Sequence, residues 1–215
     1  TGNSVDWFTL YKLPRKTTIE ETSIVNNPFI EYGTAYTFMT SESIEWQLSS
    51  LSFNDSQSFP GKTLDPLYDR SKSNIGYLLY NDQADKVSIV QGHTKGVILF
   101  DETSAIWIVH SIPHFPNHRS TFNYSIQPSQ CVYGQSMLCM SLSIDKLEQV
   151  GQQLLYNYPQ VYDSFIPDSL KSLNSISNLV KVINGDKIKT TPWFNLNVIE
   201  TLGGEKLLSF AKFTK

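Results

Sequence analysis

Apolar residues in the first two thirds of the chain fall in short runs, and stripes at helical spacing appear only later. Val5 to Leu13 is rich in β-branched and aromatic residues and is closed by Pro14, which predicts a strand. Tyr77 to Tyr80 is an apolar run ended by Asn81-Asp82, the pattern of a buried strand and its turn. Ile89 to Phe100 and Ala105 to Ile112 flank the polar stretch Asp101 to Ser104 and predict an antiparallel hairpin. Both hairpin strands are apolar on both sides: Val97 and Leu99 oppose Ile98 and Phe100, and Trp107 and Val109 oppose Ile106 and Ile108. Such strands belong in the centre of a sheet covered by a layer on each side.

Helical spacing begins at Ser143, a suitable N-cap for a helix through about Tyr156. Its apolar stripe is Ile144, Leu147, Val150, Leu154 and Leu155. A second helix is expected from Pro167, with Leu170, Leu173, Ile176, Leu179 and Val180 on one face and Asn184-Gly185 as its stop. Both stripes read as core packing. Asn184 to Pro192 is the best linker candidate, and no strong domain boundary interrupts the pattern. The fold class that follows is α/β or mixed α+β, a strand-rich first part with helices that cover the sheet.

The chain has 215 residues, 40% hydrophobic and 13% aromatic, the composition of a packed protein and not of a disordered one. No apolar run approaches the ~20 residues that would cross a bilayer, so no membrane partner is expected. The formal charge is -3, from 17 basic and 20 acidic residues, which on its face argues against a nucleic-acid partner at neutral pH. Protonating the 4 histidines turns -3 into +1, so the same surface could accept polyanions in an acidic compartment; an ordinary mildly acidic surface is the plainer reading. The chain begins at Thr1, as a mature chain freed of a signal peptide would. Asn54-Asp55-Ser56 and Asn123-Tyr124-Ser125 are N-glycosylation sequons, and Cys131 and Cys139 could close a short loop or remain two buried thiols.

The residues that could carry chemistry are in the segment GHTKG, where His93 and Lys95 would share one face of a strand. An imidazole beside an ammonium suits a phosphate: the imidazole attacks phosphorus or delivers a proton, and lysine neutralises the non-bridging oxygens. Gly92 and Gly96 leave room for backbone or substrate to approach. The tripeptide alone is a common pattern that more often has a structural or surface role; its place at the opening of a doubly buried strand is what raises the functional reading. Register decides His110. If paired residue numbers sum to 205 it faces Lys95, and if they sum to 206 it faces Gly96 and points away. His114 and His118, among Pro113 and Pro116, are expected in a loop as surface or supporting groups. No metal-binding spacing is present, so no metal or other cofactor is expected and lysine would serve as the electrophile.

These residues resemble the deoxyribonuclease II family. VDWFTLYKLP (5–14), YLLYND (77–82), GHTKGVILFD (92–101), WIVHSIPHFP (107–116), CVYGQSMLC (131–139), YPQVYD (158–163) and SFAKFTK (209–215) follow one another in the family's order. The resemblance implies a phospholipase D-like fold, a mixed β-sheet sandwiched between helices. It also implies an acid-active, cation-independent endonuclease, lysosomal or secreted, that acts on DNA and leaves 3′-phosphate ends. In the family two H-x-K motifs meet: one histidine becomes a phosphohistidine and the other protonates the leaving 5′-oxygen. His93 and Lys95 match the first motif, His110 a further important histidine, and Cys131 with Cys139 a disulfide. The second H-x-K has no counterpart here, since the residues two beyond His110, His114 and His118 are Ile112, Pro116 and Ser120. Residues 1–215 are therefore expected to form one domain lacking the carboxy-terminal part of the family. Three readings stay open: a nuclease completed by a missing half or a second copy, an inactive secreted binding protein, and an unrelated secreted domain whose histidines respond to pH.

Overall fold

The computed structural model describes residues 4–16, 27–84, 87 and 89–213. Strand β1 (Trp7–Lys12) comes first, then a one-turn helix α1 (Phe29–Tyr32), β2 (Tyr36–Thr40) and β3 (Ser43–Leu48). Helix α2 (Phe59–Tyr68) starts where the Ser58 hydroxyl accepts the Gly61 N–H at 3.1 Å and Pro60 occupies the first turn. Next are β4 (Gly76–Asn81), β5 (Lys95–Phe100), β6 (Ser104–His110) and β7 (Gln135–Ser143). Helix α3 (Leu147–Asn157), β8 (Val161–Phe165), α4 (Ser177–Ile183) and the hairpin β9 (Phe194–Glu200) and β10 (Lys206–Lys212) complete the order.

Eight strands form one sheet in the order β3-β2-β1-β7-β6-β5-β4-β8, and β9 and β10 pair separately. Every residue of β4 and β5 is buried, as their two-sided apolar sequences require. On one face Leu78, Ile98, Trp107 and Leu142 pack against Val150 and Leu154 of α3, Leu179 and Val182 of α4, and Ile199 of the β9–β10 hairpin. On the other, Leu79, Val97, Leu99 and Ile108 pack with Leu64 and Leu67 of α2, Phe53, Ile112 and Phe115. The expected mixture of strand directions is corrected: every pairing in the sheet is antiparallel. A parallel pair needs a long crossover, whereas β5 and β6 are joined by a tight turn. There the Asp101 carboxylate accepts the Thr103 and Ser104 N–H groups at 2.8 Å each.

The first expected helix is preceded by a 3-10 turn, Ile144–Lys146, so its α-helical part starts at Leu147. The second is corrected more deeply. From Pro167 the chain makes two 3-10 turns, Asp168–Leu170 and Asn174–Ile176, and only Ser177–Ile183 is α-helical. The Ser177 hydroxyl and the Asn178 N–H both donate to the Glu148 carboxylate of α3, so the α-helical part starts there, its first free donors satisfied by another helix. The stripe packs where expected all the same, with Leu170, Ile176 and Leu179 in the core. Residues 184–192 link α4 to β9, and Ile188 within them packs on that same core.

Gly96 is required by packing. A Cβ there would collide with the Tyr80 hydroxyl and the Ile108 carbonyl. Tyr80 is fully buried and its hydroxyl accepts the Trp107 indole N–H at 3.0 Å, so it has nowhere to retreat. Gly96→Ala is expected to destabilise by about 1–3 kcal/mol, read as a lower urea midpoint at unchanged slope; an unaltered midpoint would refute this account.

Candidate active site

The site lies where β4 ends and β5 begins. Antiparallel pairing sets Asn81, the last residue of β4, opposite Lys95, the first of β5. Beyond Asn81 the chain turns, with the Ala84 N–H donating to the Asn81 carbonyl at 3.2 Å and the Gln83 N–H to the Asn81 side chain at 2.9 Å. Asp82 lies in this turn and is 4% exposed. One carboxylate oxygen accepts the Lys95 ammonium at 2.5 Å, and the other holds His93 Nδ1 at 2.5 Å.

This arrangement corrects the expected origin of the His93–Lys95 pair. His93 precedes β5 in an irregular segment, so strand alternation does not align the two side chains. Asp82 aligns them, by bonding to both. The segment itself is anchored to the end of α3: the Gly92 N–H donates to the Tyr158 carbonyl at 2.8 Å, and Gln91 donates to the Pro159 carbonyl at 3.3 Å. The space beside Gly92 is filled by the Asn157 carbonyl and not by open substrate room.

The two members of the pair differ in access. Lys95 is 4% exposed, whereas the His93 side chain is 81% exposed. A carboxylate can only accept, so the bond to Asp82 places the proton on His93 Nδ1 and leaves the Nε2 lone pair on the open side. That is the tautomer a nucleophilic or proton-accepting imidazole needs.

The β5–β6 register sums to 205, as in Gly96 with Val109, so His110 falls across from Lys95. Its Nδ1 accepts the Ile112 N–H at 3.1 Å, which puts the proton on Nε2. That Nε2 is buried and has no hydrogen-bond partner among the described residues. Burial, and secondarily the Lys95 charge, lowers the His110 pKa to about 3, so this imidazole is neutral over most of the acidic range. His114 and His118 lie in the loop after β6. His114 Nδ1 pairs with the Ala84 carbonyl at 3.0 Å, while His118 Nδ1 is 3.5 Å from Asp163 and its ring is edge-on to Tyr162.

Asp82 is the residue that sequence reasoning missed. It reads as turn punctuation after YLLY, and the signal that could have found it is the register that sets Lys95 beside Asn81. The Cys131–Cys139 disulfide is corrected: both thiols are free. Cys139 is four positions beyond Gln135 in β7 and buried in the sheet core, so about 3.4 Å of strand per residue carries it away from Cys131. Cys131 ends a 3-10 turn, its thiol 3.6 Å from the Gln127 carbonyl. Asn54 and Asn123 are both exposed. Among the described residues no group of three or more His, Cys, Asp or Glu side chains could hold a metal ion, and no helix is long and apolar enough to cross a membrane.

Known proteins resemble this chain over its full length. Deoxyribonuclease-2-alpha of Rattus norvegicus is 36% identical over 220 residues, covering 100% of the chain and 60% of its own length. Plancitoxin-1 of Acanthaster planci is 34% identical over 216 residues, covering 98% of the chain and 58% of its own length. Deoxyribonuclease-2-beta of Homo sapiens is 33% identical over 217 residues, covering 98% and 57%. The chain therefore spans about 60% of the length of the relatives it matches. The sequence model described as Deoxyribonuclease II matches residues 1–215, and with these similarities it settles the relationship: the chain belongs to the deoxyribonuclease II family.

Proposed function

We propose that this chain contributes one half of the active site of an acid endonuclease that cleaves DNA without a metal ion. The observation that carries the reading is the relay Lys95–Asp82–His93, which ends in an exposed Nε2 of fixed tautomer. With His93 as nucleophile, Nε2 bonds to phosphorus, the P–O5′ bond breaks, and the 5′-oxygen leaves with a proton from a second acid. Water then attacks the phosphohistidine, restores the imidazole and leaves a 3′-phosphate. The ring becomes positive as it bonds to phosphorus, and the Asp82 carboxylate faces that developing charge. Lys95 holds Asp82 in place, and His110, buried and neutral across the hairpin from Lys95, backs the relay without adding charge. With the roles reversed, His93 would be the acid and a second imidazole the nucleophile.

The second imidazole would come from the family's other H-x-K, on further chain or on a second copy across a two-fold axis. The overall arrangement is proposed to be phospholipase D-like. Secretion or lysosomal delivery is proposed as well, and the exposure of Asn54 and Asn123 supports their glycosylation.

Plasmid nicking at acid pH in excess chelator tests the activity. The wild-type chain, supplied with whatever completes the site, is expected to nick and to leave 3′-phosphate ends. His93→Ala is expected to lower the rate by about 10³-fold or more. Equal nicking by both would remove His93 from the reaction, and no nicking by the wild type would overturn the reading.

A further inference from the structure

The loop after β6 is locked onto the turn that carries Asp82. Asn81 Nδ2 donates to the carbonyls of Ile112 at 3.0 Å and Phe115 at 3.1 Å. His114, between those two carbonyls, has a left-handed backbone with φ 55°, a region that disfavours most side chains. From there its Nδ1 reaches the Ala84 carbonyl at 3.0 Å. A carbonyl can only accept, so Nδ1 carries a proton toward Ala84, and in the imidazolium form of the exposed His114 ring Nε2–H is a second donor, which is what a phosphate oxygen requires. One turn thus orients two exposed imidazoles through their Nδ1 atoms: Asp82 holds His93, and Ala84 holds His114.

The geometry points to His114 as a contact for a DNA phosphate neighbouring the one that His93 engages, which would make the site select a polynucleotide over an isolated phosphodiester. This inference rests on the proposed nuclease reading. His114 is held from the far end of the turn, outside the Lys95–Asp82–His93 relay, so it serves a flanking position and not the reacting one. Contacts to flanking phosphates fix the register of a strand on a protein without reading its bases.

His114→Asn separates this from a merely structural tie. Asparagine tolerates the left-handed backbone and can still donate to Ala84, but it lacks the outer nitrogen. Its urea midpoint should match the wild type, while KM for single-stranded DNA rises about 5–10-fold with little change in kcat. The preference in kcat/KM for DNA over thymidine 3′-(4-nitrophenyl phosphate), which offers one diester, should fall by the same factor. A wild-type KM, or equal losses on both substrates, would overturn the assignment. Anisotropy of a labelled 12-nucleotide strand gives a readout independent of turnover, comparing His93→Ala with His93→Ala/His114→Asn. Weaker binding by the double variant supports the contact even if the wild type never nicks, a result that would defeat only the nuclease reading. Identical binding, or none by either variant, defeats the contact itself.

Discussion

Asp82→Ala is expected to destabilise the protein by about 3–5 kcal/mol and to abolish nicking. The reason is Lys95, which is 4% exposed and bonded to Asp82 at 2.5 Å. Removing the carboxylate strands an ammonium group in the core, which is far more costly than losing an exposed ion pair. Asp82→Asn isolates the chemical part. The amide keeps the volume but is a poor double acceptor, so His93 is released from its tautomer, and a loss in rate on the order of 10⁴-fold is expected by analogy with triads altered in this way. Urea unfolding and nicking, measured on the same preparations, separate the two effects. Near-native stability in Asp82→Ala would show that Lys95 finds another partner, and near-native nicking in Asp82→Asn would show that Asp82 does not orient His93.

His110 sets the second large effect, through pH. Its imidazole has a pKa of about 3 in the folded chain because of burial, with a smaller contribution from Lys95. In the unfolded chain a histidine titrates near ~6.5. Between these values the unfolded state holds the extra proton, so stability falls as pH falls, by up to about 1.4 kcal/mol per pH unit, and is insensitive to this group above ~6.5. His110→Gln stays neutral and can still accept the Ile112 N–H. The stability difference between pH 7 and pH 4.5 should therefore shrink by about 2–3 kcal/mol in that variant. Parallel pH profiles for wild type and variant would show that His110 is not the group concerned. The acid nuclease proposed above would thus keep an acid-labile residue across from Lys95, at a cost in acid stability.

The strands that carry the site were legible because their apolar residues occupy both faces, which sequence displays directly in YLLY and VILF. The outer strands were not. In β3, Ile44, Trp46 and Leu48 are exposed, and in β9 Phe194, Leu196 and Val198 are exposed while Asn195 and Asn197 face inward. There the polar inward positions are satisfied by side chains: Gln153 donates to Ser209 and accepts from Asn195. Hydrophobic alternation signals a strand's inner face only where apolar burial chooses that face. In the site, His93 and Lys95 were legible as residue types, but the contact joining them comes from a turn between two strands, and only the register reveals it.

The sheet order has a consequence for how the protein assembles. Strand β1, made before the other strands of this sheet, lies between β2 and β7, with Phe8 opposite Thr40 on one side and Cys139 on the other. During synthesis β1 can pair with β2 early, yet its second edge stays open until β7 has emerged. Closing that long loop carries an entropic penalty before any contact rewards it, a topology associated with slow folding. An apolar edge is exposed throughout that interval, so a chain interrupted before Ser143 would present an unprotected template for aggregation.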